Sequence, residues 1–152
     1  MTLTPIEQRY LAGLRHGRLA TVGPDGTPQV KPVGFTYNAK LGTVDIAGLN
    51  MANSAKYRNV QANPKVAFVV DDVRFEGVEG VRFLEIRGIA EPAVDEQPAT
   101  SHLASEIIRI HPRRVVGFNI DPDRRGLQVR GGQGGEHVDP DWPTGGGQPE
   151  VA

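Results

Sequence analysis

Ser54, Lys56, Arg58 and Asn59 crowd into one short run of the chain, LNMANSAKYRNVQANPKVAFVV from Leu49 to Val70. Their types suit the grip of a phosphate. The run reads as a polar loop, a two-turn helix over Ser54–Ala62 and a buried strand, with Asn63-Pro64 closing the helix because a residue before proline avoids the helical region. A helix N-terminus presents unpaired N–H groups and positive dipole potential. Lys56 adds a full charge there, Ser54 a hydroxyl donor, and the amides around Asn53–Lys56 the dipole. Taken alone, Lys56 and Arg58 read as the solvated face of a surface helix. Set in their surroundings, they read as phosphate ligands. Gly48, Leu49 and Asn50 form the adjoining loop, placed to touch the same ligand.

The elements that must carry this segment can be read outward from it. Thr4-Pro5-Ile6-Glu7 is a helix start with a capping box. Ile6, Tyr10, Leu11 and Leu14 share one face, and Gly17 is the expected stop. Three strands come next: Arg18–Val22, Pro28–Tyr37 and Thr43–Ala47, separated by turns at Pro24-Asp25-Gly26 and Asn38–Gly42. Pro28 and Pro32 mark the second as an edge or irregular strand. Val33 and Phe35 read as core, while Val30 reads equally as core or as ligand floor; Gly34 allows close approach. Lys65–Val70 is almost wholly apolar and is expected to be central. Val81–Ala90 alternates Phe83, Glu85 and Arg87 against Leu84, Ile86 and Gly88, as a half-buried strand does. Asp72–Gly80 is expected to be a polar, mobile loop, Glu96–Ile110 a second long helix, and Arg114–Ile120 the last strand. Regular strands with Gly/Pro turns favour a small antiparallel barrel or sandwich.

The totals narrow the function. The 152 residues fit one domain, and a net charge of −1 offers no field for nucleic acid. With no cysteine there is no disulfide framework, thiolate nucleophile or Cys-based zinc site. The four histidines show no metal-ligand spacing. The first segment carries charges throughout, and no apolar run approaches membrane-spanning length, so a cytoplasmic protein is expected. From Asp121 the composition turns to Gly and Pro, and a barrel domain over 1–125 with an irregular tail over 126–152 is expected. Trp142, the only tryptophan, lies in that tail and reads either as disordered or as docked, on a neighbouring subunit for instance.

The order of helix, RLATVGPDGTPQVKPVGFTYN, NSAKYRNVQANPKVAFVV and FLEIRGIAEP resembles the pyridoxamine 5′-phosphate oxidase-like superfamily of split β-barrels. Within it the chain most resembles the actinobacterial branch that uses the deazaflavin coenzyme F420. The run IIRIHPRRVVGFNID resembles the final helix-to-strand passage of one F420-linked subgroup. The resemblance implies a mainly β fold of Greek-key type, with an N-terminal helix, a short clamp helix and one later helix. It also implies a homodimer with a flavin or deazaflavin at the subunit interface, and hydride transfer to a small molecule. FMN-binding relatives grip phosphate with a Ser-Arg-Lys run opening the short helix. The matching positions here are Ser54, Ala55 and Lys56, so one bidentate arginine fork is absent. Arg58 and Asn59 are the candidates to replace it in part. Lys31, beside Val30, is a shifted substitute for an arginine that those relatives carry on the second strand. Val30, Lys31, Pro32 and Val33 are accordingly candidate cofactor contacts.

Three functions are consistent with these readings. One is an F420-dependent oxidoreductase acting on a small conjugated substrate. The second is an FMN-dependent oxidase or reductase of the same fold, which Ala55 disfavours. The third is a non-catalytic F420 carrier. No acid–base dyad or nucleophile stands out, as expected where the cofactor carries the chemistry.

Overall fold

The computed structural model describes residues 1–131. The first helix, α1 (Pro5–Ala12), starts as its sequence dictates. Thr4 accepts from the Glu7 amide at 3.3 Å, and the Glu7 carboxylate accepts from the Thr4 amide at 2.8 Å. It stops at Gly13 rather than Gly17. Gly17 belongs to β1 (His16–Val22), where any side chain would collide with the Phe68 ring.

Six more strands follow among the described residues: β2 (Pro28–Asn38), β3 (Thr43–Ala47), β4 (Lys65–Val73), β5 (Val81–Val94), β6 (Glu106–Phe118) and β7 (Leu127–Gly131). They form one antiparallel sheet in the order β3-β2-β1-β4-β5-β6-β7, and a β3–β6 pairing closes it into a barrel. With α1 and α2 (Ala55–Ala62) this is the expected split β-barrel. The split has a local cause. β2 pairs with β1 over residues 28–34 and with β3 only over 34–38, so its first half pairs on one side alone. Pro28 and Pro32 fall in that half, where a missing N–H breaks no second ladder.

The barrel interior follows the period-two rule. Val66, Phe68 and Val70 of β4 point inward with Leu84 and Ile86 of β5, and meet Val44, Ile46, Ile108 and Ile110 across the barrel. Phe35 packs edge-on against Phe68 at 5.0 Å. β4 is central, between β1 and β5, and the outward set on β5 is Phe83, Glu85 and Arg87, as predicted.

Three expectations are overturned. No later helix exists among the described residues: the chain turns through 95–105, and β6 then runs from Glu106. Ile107, Ile108 and Ile110 fit a helical stripe equally well, but the β-branched run finds backbone partners on both sides, Ala93 against Ile107 and Ile46 against Ile108. The expected helix-to-strand passage is therefore one strand, bulged where Arg87 faces Arg114 and Gly88 faces Pro112. The sheet also runs past 125, because Asn119, at φ 53°, turns the chain and accepts from Gly126 N–H at 2.8 Å, returning it as β7. Trp142 and the rest of the expected tail lie outside the described residues. Finally, the expected loop over 72–80 is shorter, because Asp72 and Val73 belong to β4 and the loop that remains spans 74–80. Asp72 accepts from Arg82 at 3.0 and 2.5 Å and from the Tyr10 hydroxyl at 2.8 Å. No helix among the described residues is long and apolar enough to cross a membrane.

Candidate functional site

The clamp segment folds as a 3-10 turn, Met51–Asn53, that feeds α2. Ser54 is the N-cap. Its hydroxyl accepts from the Tyr57 amide at 3.3 Å and donates to the Met51 carbonyl at 2.7 Å. The one hydroxyl hydrogen is thus committed to the turn, so Ser54 shapes the helix start rather than offering a donor. The amides of Ala55 and Lys56 remain as first-turn donors with no acceptor inside the helix. Arg58 folds back to donate to the Asn53 carbonyl at 2.8 Å, and the Asn53 side-chain amide donates to Asn50 at 2.9 Å. Asn50, Asn53 and Arg58 therefore brace one turn. Ala55 is exposed, with no polar side-chain atom to contribute.

Lys56 is half-buried. Burial pushes its ammonium below the usual lysine range, and the positive charge of Lys31 pushes it further down. Two cations from different elements, α2 and β2, are thus within electrostatic reach of each other. Neither has an ion-pair partner among the described residues. Like charges held together without a counter-ion raise the energy of the free protein, and a bound anion relieves it. The donor set of two ammonium groups and first-turn amides fits a phosphate or phosphodiester.

Asn59 occupies a different place from the one its sequence position suggests. It is 6% exposed, and its amide donates to the Thr21 hydroxyl at 3.0 Å and to Gln29 at 2.9 Å. These bonds tie α2 to β1 and β2 from inside and fix Lys56 relative to Lys31. Thr21 and Gln29, partners in this strut, carry no signal in the sequence.

The face of β2 opposite Lys31 is the apolar one. Val30, Pro32 and Gly34 alternate onto it, and Val30 is 62% exposed, which settles its reading against core. Val33, on the other face, is 5% exposed and is core. A Cβ built on Gly34 meets no atom within 4 Å, so packing does not require glycine there and the space above it is open. Gly48 accepts from the Ala104 amide at 3.0 Å, anchoring the 95–105 turns, while Leu49 is 75% exposed beside the clamp. A groove of about 690 Å³ continues from Val30 across the outer sheet over Ala20, Ala67, Val69 and Phe83, with Arg18, Asp71 and Glu85 at its rim. That volume lies in the range of small-molecule sites. Among the described residues no three His, Asp or Glu side chains come together to hold a metal.

Comparison with known proteins agrees with this geometry. Residues 4–134 match the Pyridoxamine 5′-phosphate oxidase family. A 5a,11a-dehydrotetracycline/5a,11a-dehydrooxytetracycline reductase of Streptomyces rimosus is 44% identical over 124 residues, 81% of this chain and 87% of that protein. A solved F420 reductase is 30% identical, with a TM-score of 0.51 over 66% of this chain and 88% of that one. A FAD-binding protein of Mesorhizobium loti, 22% identical, superposes with a TM-score of 0.55 over 77% of this chain and 95% of that one, a likeness of fold.

Proposed function

This chain belongs to the pyridoxamine 5′-phosphate oxidase family, and from that premise we propose that it is a reductase using coenzyme F420 on a conjugated carbon–carbon double bond. That it is an oxidoreductase rests on its reductase relative and its reductase structural neighbour. The observation that carries the cofactor reading is the pair of uncompensated lysines, Lys31 and Lys56, set beside a helix start whose FMN-type arginine position is Ala55. Two point charges suit a phosphodiester linker, whereas a terminal phosphate is best held by a bidentate arginine fork.

On this reading Lys56, Lys31 and the amides of Ala55 and Lys56 hold the phosphodiester. Asn59 keeps the helix at its distance from β2. Val30, Pro32 and Gly34 supply a flat apolar floor, and the singly paired half of β2 leaves backbone groups free for ring carbonyls. Gly48, Leu49 and Asn50 flank the linker. Bound in its reduced form, the deazaflavin supplies the hydride. The groove over Ala67, Val69 and Phe83 receives the acceptor, which the name of the Streptomyces relative suggests is a fused-ring enone. A second copy of the chain closes over this face, giving a homodimer that works in the cytoplasm and keeps water from the reacting carbon.

Titration of the purified protein with F420, followed by cofactor fluorescence, tests the binding half. Anaerobic mixing of the reduced complex with fused-ring enones tests the transfer half through reoxidation of the deazaflavin. Tight FMN binding with no F420 binding at micromolar concentrations overturns the proposal; F420 binding with no reoxidation by any conjugated acceptor leaves a carrier instead.

A further inference from the structure

Among the described residues, the groove of about 690 Å³ on the outer sheet has one cation in its lining, Arg18. The other charged residues there, Asp71 and Glu85, are carboxylates. Glu85 accepts from Arg87 of its own strand at 2.5 Å. Asp71 accepts from the Arg18 guanidinium, and that is the only side-chain hydrogen bond Arg18 makes among the described residues. A guanidinium carries several N–H donors in a planar fork, so the others are open to a ligand. The Arg18 side chain is 52% exposed, which leaves it reachable from the groove.

Strand register fixes where Arg18 stands. It faces Pro32 of β2 on one side and Val69 of β4 on the other. It therefore lies between the apolar floor of Val30, Pro32 and Gly34 and the groove wall of Val69 and Phe83. The Phe83 ring is stacked on Phe118, with centroids 5.6 Å apart, so that wall is braced. A flat ring system that rests on the wall and reaches the floor passes beside the guanidinium.

We propose that Arg18 is a catalytic residue that holds the carbonyl oxygen of the acceptor and stabilises the negative charge that forms on it. The inference rests on the reductase reading and deepens it: the acceptor is a conjugated ketone rather than an isolated alkene. The β-carbon of such an acceptor gains a hydride from the reduced cofactor. The alkene pair shifts to form the enolate, and the charge comes to rest on oxygen. A proton from water then reaches the α-carbon, balanced by the one released as the cofactor is oxidised. A donor aimed at the oxygen where charge develops lowers the barrier to the first of these steps. Asp71 and Glu85 repel an oxyanion, and Arg18 alone among the charged lining residues attracts it.

2-Naphthol serves as an enolate analogue, because its neutral and anionic forms differ in absorbance. In a pH titration with the full chain and no cofactor, the bound compound is expected to ionise at lower pH than in buffer. Arg18→Gln is expected to weaken naphtholate binding by up to about fivefold, the span of a solvent-exposed charge pair, and to leave binding of neutral naphthol unchanged. Arg18→Lys, which keeps the charge without the fork, is expected to recover part of that loss. Asp71→Asn breaks the same ion pair but keeps the guanidinium, so it is expected to bind naphtholate at least as tightly as the unaltered chain. With reduced F420 bound, Arg18→Gln is expected to slow reoxidation by a fused-ring enone about tenfold or more, with F420 affinity unchanged. Naphthol that ionises with the unaltered chain as it does in buffer overturns the proposal, as does naphtholate affinity unmoved in Arg18→Gln. Equal losses in Arg18→Gln and Asp71→Asn also overturn it, because they assign the effect to the ion pair as a structural contact. F420 binding is read separately: its failure in the unaltered chain overturns the reductase reading and the catalytic role with it, whereas unmoved naphtholate affinity overturns the role of Arg18 alone.

Discussion

Replacing Lys56 with alanine removes the half-buried cation of the first turn of α2. The expected effect is set by its surroundings. A hydrogen bond to a charged group contributes about 1.5–3 kcal/mol, and the half-buried Lys56 is shielded from much of the solvent that weakens such contacts. Loss of that contact weakens F420 binding about 10- to 150-fold. Lys31 is exposed, so its removal weakens binding by up to about fivefold. The two variants also differ in their pH dependence. Burial and the charge of Lys31 both hold Lys56 below its ordinary 10.5. Anion binding needs the ammonium form, so affinity falls as pH rises through that lowered value. Lys31→Ala removes the repulsion and leaves the burial, so the alkaline limb of binding moves up in pH without reaching 10.5. Lys56→Ala abolishes that limb.

The assay is a fluorescence titration of F420 against each variant across alkaline pH, with thermal unfolding as a control. Lys56 is destabilised by its burial and its neighbour, so its loss is expected to leave the melting temperature unchanged or slightly higher. An unchanged Kd for Lys56→Ala refutes the clamp. An alkaline limb unmoved in Lys31→Ala refutes the coupling between the lysines even if both contribute to binding.

Gly34→Leu tests the floor. A Cβ there meets nothing within 4 Å, so unfolding by heat is expected near the wild-type temperature while cofactor titration shows binding lost; retained binding removes Gly34 from the site. Acid stability tests the barrel. Burial raises Asp45, but bonds from Arg109, Thr43 and Asn38 outweigh it, and Arg82 and Tyr10 hold Asp72 low despite burial. Both carboxylates therefore sit below 3.8, and the stability they contribute is present above that pH and lost as pH falls through their lowered values. Asp45→Asn, which removes the negative charge and one of the two oxygens that accept from Arg109 at 3.0 Å, is expected to reduce stability at neutral pH by about 1.5–3 kcal/mol and to flatten the acid limb in denaturant titrations.

The features legible in the sequence are local ones. The capping box at Thr4–Glu7, the Pro-closed helix after Ser54 and the apolar run of β4 each state their conformation within a few residues. The failures share one physical origin. Ile107, Ile108 and Ile110 satisfy a helical stripe and a strand alike, and only pairing with residues 14 and 62 positions away decides between them, Ala93 against Ile107 and Ile46 against Ile108. Asn59 reads as a ligand in the sequence because its rotation about α2 is set by Thr21 and Gln29, which lie 38 and 30 residues back.

The same limit explains why the clamp can be recognised in the sequence but not assembled from it. Comparing Ser54, Ala55 and Lys56 with an FMN grip exposes a missing cation on α2, and nothing within that helix replaces it, since Arg58 is turned back onto Asn53. The second charge comes from β2, through a strand that pairs on one side only over the half that carries Lys31. That strand also carries the open space at Gly34 and the exposed Val30. If the lysine pair holds F420 as proposed, cofactor choice is written in β2 as much as in the clamp helix. Restoring an arginine by Ala55→Arg would then add a phosphate fork without altering the floor that receives the ring, so it should raise affinity for FMN without abolishing affinity for F420.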